Sequence, residues 1–136
     1  HSLSALNAVA WAHATEPWIE QRDLERAVAY ARKVTQARPE IATGWNTLGV
    51  ALYAAVEYEE SVVALRKSMR RKRGDVAFNH LFMAMARHAL GHGDARDWYE
   101  KGVRWTEDNE VPDEQDREQL ERFSVQAAVL LGLEGK

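Results

Sequence analysis

The feature that most constrains this chain of 136 residues is a repeat within its own sequence. Three similar segments begin with a small residue, and their starts lie 34 residues apart twice, at Ala27, Ser61 and Ala95. Each segment has an apolar residue near its fifth place and Lys at its seventh. A second apolar stretch precedes each segment. A repeating unit of this length with two apolar-periodic stretches predicts a pair of helices joined by a turn.

Stacking of these units explains how such a chain can bury a core. One helix pair cannot cover its own apolar stripe, whereas neighbouring pairs can cover each other. We therefore expect an all-α fold with repeats at 3–41, 42–75 and 76–109, and no strands. The preceding stretches also carry small residues, at Ala10, Gly49 and Ala84. Because Gly within a helix costs roughly 1 kcal/mol relative to Ala, Gly49 indicates a point where the paired helix leaves no room for a methyl group.

The boundaries of the helices are marked by Pro and Gly. Pro39 and Pro112 stand where a helix begins or cannot continue, and Gly74 and Gly91 stand where helices end. Asp94, which follows Gly93, is typical of a helix N-cap. With these signals the apolar periodicity predicts helices over 3–14, 23–36, 41–55, 58–72, 76–90, 94–106 and 113–132.

The last predicted helix, 113–132, is interpreted as a cap on the array. Its apolar stripe consists of residues at helical spacing, opposite a charged face: Leu120, Phe123, Ala127, Leu130 and Leu131. A terminal helix that is polar on its outer face protects the end of a repeat array. The first repeat has no such cover, and the chain begins with His1. We therefore expect a piece of a larger protein, or self-association through the uncapped N-terminal repeat.

Specific residues resemble the tetratricopeptide (TPR) repeat. The opening W-x2-L-G-x2-Y pattern of that family is matched by Trp45, Leu48 and Gly49, with the aromatic Tyr53 one place late. Ala27 with the closing Pro39 resembles its second half, whereas the third repeat has His80 in place of Trp. The resemblance implies a TPR superhelix of three repeats plus a capping helix, with 1–136 as a single domain.

Two further stretches are similar to one subgroup of TPR proteins. The first is Leu6–Trp11, and the second is Leu90–Gly91 followed by Trp98–Lys101. The subgroup comprises TPR arrays near the C-termini of large bacterial signalling proteins, beside a kinase or a β-propeller. This resemblance implies a scaffold role in signalling, and we expect a cytoplasmic location.

In TPR proteins the first helix of each pair lines a concave groove that holds a peptide or a helix. The residues of this chain that the resemblance places there are Asn7, Trp11, Asn46, Thr47, Val50, Tyr53, Leu81, Met85 and His88, with Phe82 beside them. Asn side chains can pair with a peptide backbone, and aromatic and thioether groups suit binding hot spots. The alternative is that the aromatic residues pack between repeats as core.

The same comparison predicts what kind of ligand the groove would take. Some TPR domains capture a C-terminal carboxylate with Lys, Asn and Arg, but the corresponding places here are Asn7, Trp11, Thr47, Phe78 and Phe82. Because aromatic residues replace the cations, we expect an apolar or amphipathic protein or peptide ligand, without carboxylate capture.

Other functions find less support in the sequence. The net charge of −3 does not favour nucleic acid or an anionic membrane as the main partner, and no stretch is long and apolar enough to cross a membrane. The basic run Arg66–Arg73 permits a nucleic-acid contact, although cations at a helix end also donate to free carbonyl groups.

Catalysis and metal binding are also not expected. The histidines His80, His88 and His92 lack a metal-ligand motif, and the chain has no cysteine. No nucleophile elbow or phosphate-binding loop is present. We therefore expect a non-catalytic protein that needs no cofactor. The alternative to an adaptor is a structural or self-association domain that packs within a larger parent protein.

Overall fold

The computed structural model describes residues 2–16, 23–71 and 76–133. These residues form seven helices and no strand. The helices are α1 (Leu3–Thr15), α2 (Leu24–Ala37), α3 (Ala42–Ala54), α4 (Tyr58–Met69), α5 (Val76–Ala89), α6 (Ala95–Asp108) and α7 (Glu114–Leu130). The predicted all-α class is therefore confirmed for the described residues. Within them, no helix is long and apolar enough to span a bilayer.

The helices begin and end close to the predicted positions because local hydrogen bonds fix their termini. The side chains of Ser2, Asp23 and Asp113 each accept a bond from a backbone N–H three residues later. Gly91, two residues after the last residue of α5, has φ of +80°, as predicted for a helix-ending glycine. The other predicted helix end, Gly74, lies outside the described residues, as do positions 72 and 73 of the basic run.

Asp94 occupies the N-cap position of α6 as predicted, but its side chain makes no capping bond. Its Oδ1 accepts instead from Arg87 Nε at 2.7 Å, and its Oδ2 accepts from Trp98 Nε1 at 3.3 Å. The carboxylate thus connects the end of α5 to the first turn of α6. The Arg87 guanidinium holds the pKa of Asp94 below its ordinary value, because it stabilises the charged form.

The chain divides into two compact units, residues 1–75 and 76–136. The division coincides with the predicted boundary between the second and third repeats. That 1–136 form a single domain stays a prediction. In the first unit, α1 packs on α2 and α3 packs on α4, and α3 also contacts α1 and α2. Since α3 has three neighbours, residues all round it are buried.

Helices α3 and α4 approach each other closely at Gly49. A Cβ placed there would lie 2.6 Å from Leu65 Cδ2 and 2.7 Å from Leu65 Cγ. The predicted close contact at Gly49 is therefore confirmed. Two buried hydroxyl groups of α4 secure the same helix pair, because Ser61 Oγ donates to the Gly49 carbonyl at 2.7 Å and Ser68 Oγ donates to the Ala42 carbonyl at 2.9 Å.

The basic end of α4 interacts with backbone carbonyl groups, as the helix-end interpretation predicted. Arg71 Nε donates to the Pro39 carbonyl at 2.6 Å, and Arg71 Nη1 donates to the Lys67 carbonyl at 2.6 Å. Trp45 Nε1 donates to the same Pro39 carbonyl at 2.8 Å, and Lys67 Nζ lies 4.6 Å from the centre of the Trp45 ring. Two of the cations therefore help to hold the α2–α3 connection against α4.

In the second unit, α5 packs on α6 and on α7. The Phe123 ring of α7 lies edge-on to two rings of α5, with its centre 4.8 Å from that of Phe82 and 6.2 Å from that of Phe78. On the other side, α6 approaches α5 at Gly102, where a Cβ would lie 3.1 Å from Leu81 Cδ2. Both aromatic residues of α5 thus belong to the core, which was the alternative to a groove position for Phe82.

Helix α7 only partly matches the predicted cap. Leu120, Phe123 and Ala127 of the apolar stripe are buried as expected. Leu130 of that stripe is 43% exposed, and two valines of the outer face are exposed as well, Val125 at 59% and Val129 at 47%. The prediction of a uniformly polar outer face is therefore wrong for the second half of α7, where an apolar patch faces solvent.

Candidate functional site

The predicted groove residues of the first unit differ in how accessible they are. Asn46, Thr47 and Val50 are each 1% exposed, so a ligand could not contact them in this conformation. Asn7, Trp11 and Tyr53 are half-buried. The Oδ1 of Asn7 is buried and has no hydrogen-bond partner among the described residues.

Tyr53 lies beside a second tyrosine of the first unit. The centre of its ring is 5.4 Å from that of Tyr58. Burial, with a smaller effect from Tyr58, raises the pKa of Tyr53 to about 12. The hydroxyl is therefore a neutral group at physiological pH, able to donate and to accept a hydrogen bond.

The predicted groove residues of the second unit are mostly internal. Leu81 and Met85 are buried, and Leu81 lies against Gly102 of α6. Only His88 is exposed. Of the nine predicted residues, five are therefore inaccessible, and their burial weighs against a direct role in ligand contact.

A cleft that the sequence did not predict lies between α6 and α7, entirely within the second unit. Its volume is about 870 Å³, within the range of roughly 300–1,000 Å³ typical of ligand pockets. Tyr99 and Val103 of α6 and Leu120 of α7 form apolar walls, and Val111 and Pro112 close one end. The remaining lining residues are polar: Thr106, Asn109, Glu110, Arg117, Glu121 and Ser124.

The cleft exists because α6 and α7 both pack chiefly on α5 and contact each other less. Helix α6 turns its small residues Ala95 and Gly102 toward the core, where both are buried. Tyr99 and Val103 lie at helical spacing beside them, toward the edge of the same face of α6, and stay half-buried. Helix α7 is held to α5 through Phe123, so apolar surface of α6 stays uncovered.

The connection between α6 and α7 is fixed by side chains of the cleft. Arg117 Nη1 donates to the Val111 carbonyl at 2.6 Å and to the Pro112 carbonyl at 2.9 Å. Asn109 Nδ2 donates to the Trp105 carbonyl at 2.9 Å. Because Arg117 of α7 binds two carbonyl groups of the connection, it fixes the end wall of the cleft without a ligand.

The surroundings of the cleft are acidic. Residues 107–121 contain eight carboxylates and one cation, Arg117. Among the described residues, none of these carboxylates forms a salt bridge. Partial burial, together with the neighbouring Asp113 carboxylate, raises the pKa of Asp116. The stretch around the cleft therefore carries a net negative charge.

Two signals in the sequence could have indicated this cleft. The acidic stretch 107–121 follows directly on a helix rich in aromatic residues, and Tyr99 with Val103 forms an apolar pair four residues apart. Both features were visible, but an acidic stretch is usually a solvated surface. The acidic stretch and the apolar pair form one site only because α6 and α7 leave a cleft between them.

A second, smaller cavity of about 310 Å³ lies in the first unit. Trp45, Leu48 and Val63 contribute apolar surface to it. An ion pair between Arg32 Nη2 and Glu60 Oε2, at 2.7 Å, links two residues that also line it. This cavity is less suited to a ligand because it is smaller and two of its charged groups, Arg32 and Glu60, already pair with each other.

Metal binding finds no support in the described residues, where no three His, Cys, Asp or Glu side chains are grouped closely enough to hold one ion. Comparisons with protein families, with curated proteins and with solved structures gave no match. Function must therefore be inferred from the side chains and surfaces of this molecule.

Proposed function

We propose that this chain is a non-catalytic protein-interaction module that holds a segment of a partner protein in the cleft between α6 and α7. The observation that carries the proposal is the pre-formed cleft, with its apolar walls and polar rim. Binding sites for peptides combine apolar surface for anchoring side chains with a few polar groups that fix orientation. The cleft offers both on two rigid helices.

The polar groups of the cleft favour binding over chemistry. No His, Lys or Cys lines it. The amide of Asn109 and the hydroxyl of Thr106 already donate to backbone carbonyl groups of α6. Nucleophilic catalysis requires a nucleophile beside a base that a third group orients. Ser124 is the only hydroxyl in the lining besides those of Tyr99 and Thr106, and no imidazole, which is the commonest base for activating a serine, lines the cleft.

The proposed relation to TPR arrays is supported by three consecutive helix pairs and by the close contact at Gly49. The proposal keeps the TPR-like superhelix that the sequence predicts but assigns the ligand to the α6–α7 cleft, because five of the nine predicted groove residues are buried. The proposed cytoplasmic setting within a larger bacterial signalling protein depends on the sequence resemblance alone.

A blocking substitution tests the proposed function. The probes are three synthetic amphipathic peptides with identical apolar positions, whose polar positions are all cationic, all neutral or all acidic. We expect at least one peptide to bind and to shift the NMR signals of Tyr99, Val103 and Ser124. Val103→Trp should fill the cleft and weaken this binding at least about tenfold, equivalent to about 1.4 kcal/mol.

The control for this experiment is Val63→Trp, which adds the same ring at an exposed position of α4. It should leave peptide binding unchanged. If no peptide shifts the signals of the cleft, or if both tryptophan variants weaken binding equally, the proposed function is wrong.

Self-association is the second candidate, and the exposed apolar patch of α7 favours it. Val125 and Val129, four residues apart on one face of α7, are 59% and 47% exposed, and Leu130 beside them is 43% exposed. Helix α1 also exposes Val9, as the predicted contact through the first repeat would require. Light scattering tests this candidate directly, because a mass that stays at 15.5 kDa at all concentrations excludes a self-associating chain.

A contact with nucleic acid finds less support. Arg71 of the basic run already donates to two carbonyl groups, and the rim of the cleft is acidic. A phosphate backbone would be repelled there.

A further inference from the structure

We infer that the partner segment is a cationic amphipathic helix, with its apolar side chains in the α6–α7 cleft and its Lys and Arg side chains on the acidic rim. This inference rests on the proposed function and names the chemical class of the partner. Three features of the described residues carry it: the helical walls of the cleft, the sparse aromatic surface within it, and the net negative charge around it.

The walls of the cleft select a helix among the known modes of peptide binding. Addition of a peptide strand needs an exposed sheet edge, and the described residues contain no strand. Recognition of a polyproline segment uses a groove lined by several aromatic residues, whereas this cleft has Tyr99 alone. A groove between two helices instead accepts the apolar face of a third helix, whose anchors recur every three or four residues.

The charge of the rim selects a cationic partner. Glu110 and Glu121 line the cleft itself, and residues 107–121 have a formal charge of −7. Arg117 is the one cation of that stretch, and its guanidinium is bound to the carbonyl groups of Val111 and Pro112. An acidic partner would meet like charges across the interface, whereas a cationic partner gains complementary pairs and faster association.

The three probe peptides separate this inference from the proposed function. The cationic peptide should bind at least about tenfold more tightly than the neutral one, and the acidic peptide should not bind measurably. Raising the salt concentration from about 0.05 M to about 0.5 M should reduce this preference, because the screening length shortens. If the neutral or acidic peptide binds in the cleft as tightly as the cationic one, this inference fails while the proposed function stands. If none binds, both fail.

Charge variants with a matched control identify which carboxylates act. The double variant Glu110→Gln with Glu121→Gln should weaken binding of the cationic peptide about fivefold or more. The control, Glu25→Gln with Glu59→Gln, changes the net charge of the chain by the same amount at exposed positions of the first unit. It should leave the affinity within about twofold. Equal losses in both double variants would show a general charge effect and overturn the inference.

A charge swap gives the sharpest outcome. Glu110→Lys with Glu121→Lys should bind the acidic peptide better than the cationic one. Circular dichroism of each variant establishes that it is folded. A second copy of this chain, which carries its own run of cations at Arg66–Arg73, is the competing occupant. Dimers that dissociate with salt and that Val103→Trp abolishes, in a protein whose cleft the cationic peptide does not enter, would show that a second copy fills the cleft, and would overturn the inference.

Discussion

Val56 is the one non-glycine residue with a positive φ, +65°, among the described residues. It follows the end of α3, where Glu57 N donates to the Leu52 carbonyl at 2.8 Å. This is the position at which helices commonly have Gly, since the left-handed conformation costs a residue with a Cβ about 1–2 kcal/mol. The side chain is 65% exposed, so packing contributes little to keeping Val there.

Val56→Gly should therefore stabilise the protein by about 0.5–1 kcal/mol, because relief of strain exceeds the greater flexibility that Gly gives the unfolded chain. Denaturant unfolding measures this difference. Val63→Gly, which makes the same replacement at an exposed position within α4, should instead destabilise the protein by up to about 1 kcal/mol. If Val56→Gly destabilised the protein, the interpretation that the backbone at Val56 is strained would be wrong.

At Gly49, in contrast to Val56, we expect glycine to be the more stable residue, because it packs against Leu65. Gly49→Ala improves helix propensity by roughly 1 kcal/mol but places a methyl group 2.7 Å from Leu65 Cγ, and this atom is not the mobile end of the side chain. Because overpacking costs about 1–3 kcal/mol, we expect net destabilisation of about 1 kcal/mol. The additional change Leu65→Ala should make Gly49→Ala less harmful.

The control for the Gly49 prediction is Gly93→Ala. A Cβ at Gly93 has nothing within 4 Å. Its free energy of unfolding should stay within about 0.5 kcal/mol of the wild type. Equal effects at the two glycines would mean that the contact with Leu65 is unimportant.

At the scale of helices and turns, the sequence predicted which segments are helical but not which of their faces stay open. The bounds of α1 and α5 follow from apolar periodicity and from caps such as Ser2 and Gly91, both of which are local signals. The burial of Asn46 and Val50 was not predicted. Helix α3 contacts α1, α2 and α4, so more of its surface is buried than one apolar stripe would cover. The left-handed Val56 was not predictable, since Val is among the residues least suited to it.

The cleft itself depends on tertiary distances that periodicity does not encode. Tyr99, Val103 and Leu120 are apolar residues at helical spacing and could equally have packed against one another. They remain apart because Phe123 fixes α7 to α5 while Gly102 brings α6 close to α5. The cleft therefore could not be predicted without the relative positions of α5, α6 and α7.

The turn between α5 and α6 should lose stability at low pH. Asp94 is 42% exposed and pairs with Arg87, which is 16% exposed, so solvent screening limits the pair to about 0.5–1 kcal/mol. The pKa of Asp94 in the folded protein lies below the ordinary value of 3.8. Its contribution is therefore complete above 3.8 and disappears as the pH falls through the lower, folded value.

Unfolding of wild type and Asp94→Asn at several pH values checks this expectation. The difference in free energy should be constant from neutral pH down to about pH 5 and should shrink below the ordinary pKa of Asp. The same substitution in an Arg87→Gln background should have a much smaller effect. A difference that does not change with pH would mean that the ion pair is not responsible.

At the scale of the whole molecule, charge and exposed apolar surface together predict where the protein is least soluble. The net charge is −3 at pH 7, and the pI is near 6.0. Near the pI the electrostatic repulsion between molecules vanishes, and apolar patches such as Val125, Val129 and Leu130 can then associate. We expect a solubility minimum near pH 6 that turbidity measurements would detect.

Two variants separate the patch from the net charge. Val129→Glu should increase solubility at that minimum more than Ala29→Glu does, although both add one negative charge at an exposed position. Equal gains would show that charge alone governs solubility and that the patch of α7 is not adhesive.

Helix α6 contacts α5 at Gly102 and through the ring of Trp98, whose centre lies 5.7 Å from that of His80, and it presents Tyr99 and Val103 to the cleft. Different residues of α6 therefore stabilise the fold and line the cleft. Tyr99 and Val103 can be exchanged to suit another ligand while Ala95 and Gly102 preserve the scaffold. This separation makes the helix a convenient place to redesign binding preference, and it gives natural variants a route to new partners without loss of the fold.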